Sequence, residues 1–250
     1  MGIFSGYLIC TDLDGTFTDN KSQLIETNLA AADYFMENGG LFTISTGRAA
    51  HYLDATYLGR LKINTYLICL NGTMIFDTKA NEVIYERHFD KEIFRDMENY
   101  TGELSEMIFY HTKEATYTHF PDIPKNEQLH KIVISSRTPE DSRQLRAVLS
   151  EKYGEVCSFM NSWSMGLEIL PKGAGKGDCV RRLRDILGDR VKTVIAVGVY
   201  ENDITMIKEA DIGYAVGNAI GIVKTAAHRE TVSNEDAAIA KIIEDIEAEL

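Results

Sequence analysis

Five short apolar runs, Tyr7 to Cys10, Leu41 to Ser45, Tyr66 to Leu70, Val194 to Val197 and Ile212 to Val216, alternate with segments of helical periodicity. Runs of this length read as strands, and strands that alternate with helices pack as a parallel sheet covered by helices, an α/β architecture. Between the runs, Leu24 to Asn38 closes on Gly39-Gly40, a usual helix stop. Asp178 to Leu187 and Asp203 to Ala210 read as further helices. At the end of the chain, Ile239, Ile242, Ile243, Ile246 and Leu250 recur at helical spacing.

The texture changes between Asn81 and Leu170. Met107 to His111 and Ala115 to Phe120 are β-rich, lie three residues apart and predict a hairpin. Lys131 to Ser135 and Met165 to Leu170 are further strand candidates, and Pro139 opens a helix through Tyr153. All four prolines, Pro121, Pro124, Pro139 and Pro171, fall in or at the edge of this segment. The division expected is a core of residues 1–80 and 171–250 with an inserted α+β domain at 81–170, within the usual size range of a domain, and hinges near 80 and 170.

Composition narrows the partners. Acidic residues outnumber basic ones 38 to 26, and the net charge of −12 argues against nucleic-acid phosphates as ligands. No apolar stretch approaches the ~20 residues of a membrane helix, and the N-terminus lacks the segments of a signal peptide, so the expected location is the cytoplasm, away from membranes. The four cysteines are far apart without metal or redox spacing, and Cys10 and Cys69 read as small buried hydrophobes. A small anionic substrate would need a local positive site or a metal.

Asp12-Leu13-Asp14-Gly15 directly follows the first apolar run. Side chains repeat every two residues along a strand, so both carboxylates should face one way. Two like charges so placed are costly unless a cation neutralises them or one is protonated, and either condition serves nucleophilic and acid–base chemistry. Alone, Asp-Gly is ordinary turn punctuation. Three more clusters add weight: Thr46-Gly47-Arg48 after the second run, Gly198 to Asp203 after a later one, and Lys176 in the glycine-rich stretch Lys172 to Gly177. In open α/β sheets ligands bind beyond the carboxyl ends of the strands, where these clusters converge.

This order resembles the haloacid dehalogenase superfamily of phosphatases over nearly the whole chain. Asp12-Leu13-Asp14-Gly15-Thr16 is similar to its first motif, Ser45-Thr46-Gly47-Arg48 to its second, Lys176-Gly177 to its third and Glu201-Asn202-Asp203-Ile204-Thr205-Met206 to its fourth. With Asn71-Gly72 and Val216-Gly217-Asn218-Ala219, the chain resembles the Cof-type branch, which carries a C2-type cap between motifs two and three on a Rossmann-like core. The resemblance implies Asp12 as nucleophile, forming an aspartyl-phosphate, and Asp14 as the acid and base. It implies Lys176 as the cation that offsets Asp12 and phosphate. It further implies that Thr46, Gly47, Arg48, Asn71 and Asn202 bind substrate, and that Mg²⁺ is held by Asp12, Asp14 and Asp203. The fourth motif departs from the family at Val199, where an aspartate ligand usually stands, and valine cannot coordinate a metal.

Other readings of the same residues stand beside these. Gly175-Lys176 does not make a nucleotide P-loop, because Leu170 and Gly177 occupy positions that need Gly and Ser or Thr. The six histidines show no paired metal spacing and read mostly as surface or loop residues. Tyr110, His111, Tyr117, His119 and Trp163 read equally as pocket wall or as small-sheet packing, Arg48 as phosphate ligand or helix anchor, and Asn71 and Asn218 as site or turn residues. The expected activity is a Mg²⁺-dependent phosphatase acting on a small phosphorylated metabolite such as a sugar phosphate. The alternatives are a phosphometabolite-binding or regulatory protein of weakened turnover, and a phosphotransferase or mutase.

Overall fold

A computed structural model of the protein describes residues 2–53, 57 and 59–250. The strand β1 (Tyr7–Thr11) lies at the centre of a parallel sheet beside β2 (Leu41–Ile44) and β11 (Thr193–Gly198), with β12 (Ile212–Ala215) and β13 (Arg229–Glu230) beyond β11. Leu8 and Cys10 enter the core under one face, where Cys179, Val180, Leu183 and Met206 pack. Ile9 enters the other, with Phe35, Phe42, Ile239 and Ile242. Helices cover both faces, as a parallel sheet requires, because its strands have no solvated side.

On the first face lie α5 (Lys176–Leu187) and α6 (Ile204–Glu209); on the second, α1 (Glu26–Glu37) and α8 (Ala238–Ala248). The short helices α2 (Ala50–Leu53), α3 (Glu98–Thr101) and α7 (Gly221–Ala226) lie in connections. No helix among the described residues is long and apolar enough to cross a membrane. All four cysteines are buried and free.

The third apolar run behaves differently from its fellows. β3 (Leu67–Cys69) belongs to an antiparallel three-stranded sheet with β4 (Met74–Asp77) and β5 (Glu82–Glu86). A single parallel bridge, Ser45 to Ile68, ties it to the end of β2. The turn from β3 to β4 is too tight for ordinary backbone, and Leu70, Asn71 and Gly72 all take positive φ.

A second five-stranded sheet is antiparallel throughout. Its order is β7 (Thr116–Tyr117), β6 (Ser105–Thr112), β8 (Leu129–Ser136), β10 (Gly166–Pro171) and β9 (Cys157–Trp163). One face packs on α4 (Pro139–Tyr153), which starts with proline in its first turn and with the Thr138 hydroxyl accepting the Asp141 amide at 3.1 Å. Ile108, Tyr110, Ile132, Ile134, Leu167 and Ile169 meet Leu145 and Leu149 there in a separate core. The residues that alternate with them face the carboxyl ends of the parallel strands.

Candidate active site

Asp12 does not continue the strand. β1 ends at Thr11, and Leu13 to Phe17 form a five-residue turn in which Gly15 takes φ of 73°. The two carboxylates therefore reach one cavity by way of this turn, not by strand alternation as the sequence spacing suggested. The Asn218 side-chain amide donates to the Gly15 carbonyl at 2.9 Å, and its oxygen accepts the Asn234 amide at 3.0 Å. Asn218 thus braces the turn.

Asp12 is almost wholly buried and receives two hydrogen bonds, from the Thr16 hydroxyl at 2.9 Å and from Lys176 Nζ at 2.6 Å. Lys176 is fully buried and donates at the same distance to Asp203. The second Asp203 oxygen accepts the amides of Val199, at 2.8 Å, and Tyr200, at 3.1 Å. Burial above all, then the charge of Asp203, pushes the Asp12 carboxyl up to about 7 against the pull of Lys176. For Lys176 burial works against the charge, but Asp12 and Asp203 outweigh it and hold the amine above the ordinary lysine value.

Asp14 lies nearer solvent. Arg48 grips it in a fork, Nε to Oδ2 at 2.8 Å and Nη2 to Oδ1 at 2.6 Å, so Arg48 binds a carboxylate of the site itself. Thr46 is fully buried, and its hydroxyl accepts the Arg48 amide at 3.1 Å. The loop that carries both is fastened by the Leu70 and Asn71 amides, which donate to the Arg48 and Thr46 carbonyls at 2.9 Å. The Asn202 side-chain amide donates to Asn71 Oδ1 at 3.0 Å, while Asn202 Oδ1 is buried with no partner among the described residues.

A cavity of about 490 Å³ separates these groups from the second sheet and has Asp12, Asp14, Gly47, Arg48, Val199 and Asn202 on its core side. Opposite them stand Phe109, His111, Lys131, Val133, Trp163 and Glu168. His111 and Trp163 thus line the cavity, whereas Tyr110 is buried in the core of the second sheet, Tyr117 hydrogen-bonds Glu127 and His119 is exposed. Two histidines depart from the expected surface placement, His130 being buried and His111 half-buried. Burial, then Lys131 and His51, lowers the His111 pKa well below the ordinary histidine value, so its ring is neutral.

Three residues that bridge the two sheets escape a reading by motif. Lys131 Nζ donates to the Gly47 carbonyl at 2.6 Å and pairs with Glu168 at 3.1 Å. Glu168 also accepts from Asn71 and Ser162. On the far side of the cavity Arg146 of α4 makes a two-armed pair with Glu201, at 2.7 and 2.9 Å, and the Asn161 amide donates to the same carboxylate at 3.1 Å. The sequence signal for Lys131 and Glu168 is a lone charge in an otherwise apolar strand; nothing local marks Arg146.

The oxygen donors at the bottom of the cavity suit a magnesium ion only in part. Mg²⁺ takes one or two carboxylates and completes its octahedron with water and substrate phosphate. Of the residues expected to hold the ion, Asp12 and Asp14 line the cavity, but the Val199 side chain carries no oxygen donor. Glu201 is held by Arg146, and Asp203, expected as a ligand, spends both oxygens on Lys176 and two amides. Among the described residues no group of three or more His, Cys, Asp or Glu is arranged to hold a metal.

Two matches of the haloacid dehalogenase-like hydrolase family model cover residues 9–123 and 106–243. The chain belongs to that family. Among its relatives are a 5-amino-6-(5-phospho-D-ribitylamino)uracil phosphatase of Bacillus subtilis, 28% identical over 94% of each chain, and an HMP-PP phosphatase of Yersinia pestis, 26% identical over 87% of this chain and 86% of the other. A solved haloacid dehalogenase subclass IIB sugar phosphatase matches with a TM-score of 0.80 at 19% identity, over 96% of this chain and 98% of its own. In this family's terms the parallel sheet and its helices are the Rossmann-like core, and the second sheet with α4 is the cap.

Proposed function

We propose that this protein is a phosphatase that hydrolyses a small phosphorylated metabolite through an aspartyl-phosphate on Asp12. The observation that carries the reading is the buried Asp12 carboxylate, hydrogen-bonded to Lys176 and Thr16 and opening on a cavity that Asp14 shares. A carboxylate oxygen of Asp12 attacks phosphorus while the bond from phosphorus to the ester oxygen breaks, and Asp14 delivers a proton to the leaving alcohol. Asp14 then takes a proton from a water, which attacks phosphorus and releases Asp12 and inorganic phosphate. Lys176 offsets the charge gathered on Asp12, and the Arg48 guanidinium, hydrogen-bonded to Asp14 beside the same cavity, supplies a cation for the arriving phosphate.

Magnesium would be held by the Asp12 carboxylate and the Asp14 carbonyl together with phosphate and water oxygens, and would supply neutralisation of the phosphoryl charge. Asp203 then acts through Lys176 as a positioning residue. Because Val199 withholds a carboxylate, a second reading has support: a protein that binds phosphorylated metabolites and turns them over slowly.

Asp12→Asn should abolish phosphate release, and Asp14→Asn should slow it by about 10²–10⁴ with a poor leaving group. Phosphate release from a panel of phosphomonoesters, each with Mg²⁺ titrated, separates the two readings. Undiminished turnover by Asp12→Asn would exclude the covalent route.

A further inference from the structure

The cap face of the cavity is built from alternate residues of β6, β8 and β10, and their chemistry is unlike that needed to hold a polyol. Phe109 and His111 lie two apart on β6 with ring centroids 6.4 Å apart and planes tilted by 33°, so two rings stand side by side on this wall. Trp163 extends it. A Cβ at Gly166 would meet three indole atoms at 2.3 Å, so the indole lies flat against the bare glycine backbone of β10. Tyr52 and Tyr200 add two further rings from the core side.

The polar groups on this face are already engaged. Lys131 is spent on Gly47 and Glu168, Ser162 and Asn71 on Glu168, and the Thr116 hydroxyl on His111 Nδ1 at 2.9 Å. Lys131 and Glu168 cancel each other's charge. Among the described residues His111 Nε2 has no hydrogen-bond partner, and a neutral imidazole nitrogen can donate or accept. A sugar ring would bring several hydroxyls to this wall, and each one buried without a partner costs roughly a factor of ten in affinity. A flat ring brings its polar atoms only at its edge, and its faces gain stacking.

We propose that the alcohol released by this site carries a planar heteroaromatic ring, which seats against Trp163 and Phe109 with one polar edge at His111. The proposal rests on the phosphatase reading above and narrows it away from the sugar phosphate that the sequence suggested. The phosphate end lies at Asp12 and the ring end at the cap sheet, on opposite walls of the same cavity.

Trp163 is the chain's single tryptophan, so its emission reports on the ring end directly. In the full-length Asp12→Asn protein, flavin mononucleotide, pyridoxal phosphate or uridine monophosphate should quench that emission saturably after correction for absorbance, and glucose or ribose phosphate should not. In the wild type, kcat/KM for the best of these ring-bearing esters should exceed that for the best sugar phosphate by about tenfold or more. Trp163→Ala, and Gly166→Ala, which keeps the indole but displaces it, should each lower the ratio of kcat/KM for that ester to kcat/KM for acetyl phosphate by about tenfold. A sugar phosphate that matches the ring-bearing esters, or no saturable quenching by any of the three, overturns the proposal. Absence of Asp12-dependent phosphate release from every ester, with quenching intact, would instead overturn the phosphatase reading and leave the ring site standing.

Discussion

Lys176 opens a helix, where the backbone dipole is positive and an ammonium is unwelcome, and it is fully buried there. Only the two carboxylates it bridges, Asp12 and Asp203, make the placement tolerable. The same triangle sets the titration of Asp12. In the mechanism we propose the attacking species is its carboxylate, so with Asp12 pushed up to about 7 the rate should fall as the pH drops through that value. Lys176→Met removes the group that favours the ionised form and leaves burial and Asp203 opposing it, so the acid limb of kcat/KM should move to higher pH as the maximum rate falls. A pH–rate profile of both proteins decides, and an unmoved limb would mean that the amine does not govern Asp12. Val199 carries a second prediction at this scale. Val199→Asp restores an oxygen ligand at the cavity wall and should tighten Mg²⁺ binding by calorimetry, and an unchanged isotherm would mean that water already completes the shell.

Elements, not single residues, decide how the cap meets the core. The two-armed contact of Arg146 on α4 with Glu201 joins the cap helix to the loop that also carries Asn202 and Asp203. Arg146→Ala and Glu201→Gln should each raise KM by roughly two- to fivefold, and the double variant should show that the two effects are not additive. Strict additivity in that double-mutant cycle would deny the coupling. Four strands of the parallel sheet, β1, β2, β11 and β12, the hairpin at β6 and β7, and α4 with its proline start were legible because apolar runs, turn chemistry and capping are local, whereas the two-residue β13 carries no such run. The third strand was not: Tyr66 to Leu70 has the same composition as its fellows, yet after one bridge to β2 its partners come from the hairpin that follows it. At the site the motif residues Asp12, Asp14, Arg48, Lys176 and Asp203 were legible by their place after strands. Lys131, Glu168 and Arg146 were not, because their roles exist only once two sheets with independent registers face each other.

Across the whole molecule two cores are built separately, one around the parallel sheet and one between the cap sheet and α4. Leu145→Ala, in the middle of the cap core and fully buried, should cost about 2–5 kcal/mol of cap stability. Thermal unfolding followed by Trp163 emission, which reports the cap, should show the loss, and far-ultraviolet circular dichroism should show the parallel-sheet core melting later. A single coincident transition in the variant would mean that cap and core unfold as one cooperative unit. The strands of the cap are two-sided: Ile108, Tyr110, Ile132, Ile134, Leu167 and Ile169 build its core, while Phe109, His111, Lys131, Val133 and Glu168 look across the cavity. The consequence is one of inheritance. Substitutions at Phe109, His111 or Val133 can therefore reshape the cavity wall in single steps without touching the codons that build the cap core, whereas Lys131 and Glu168 answer to both.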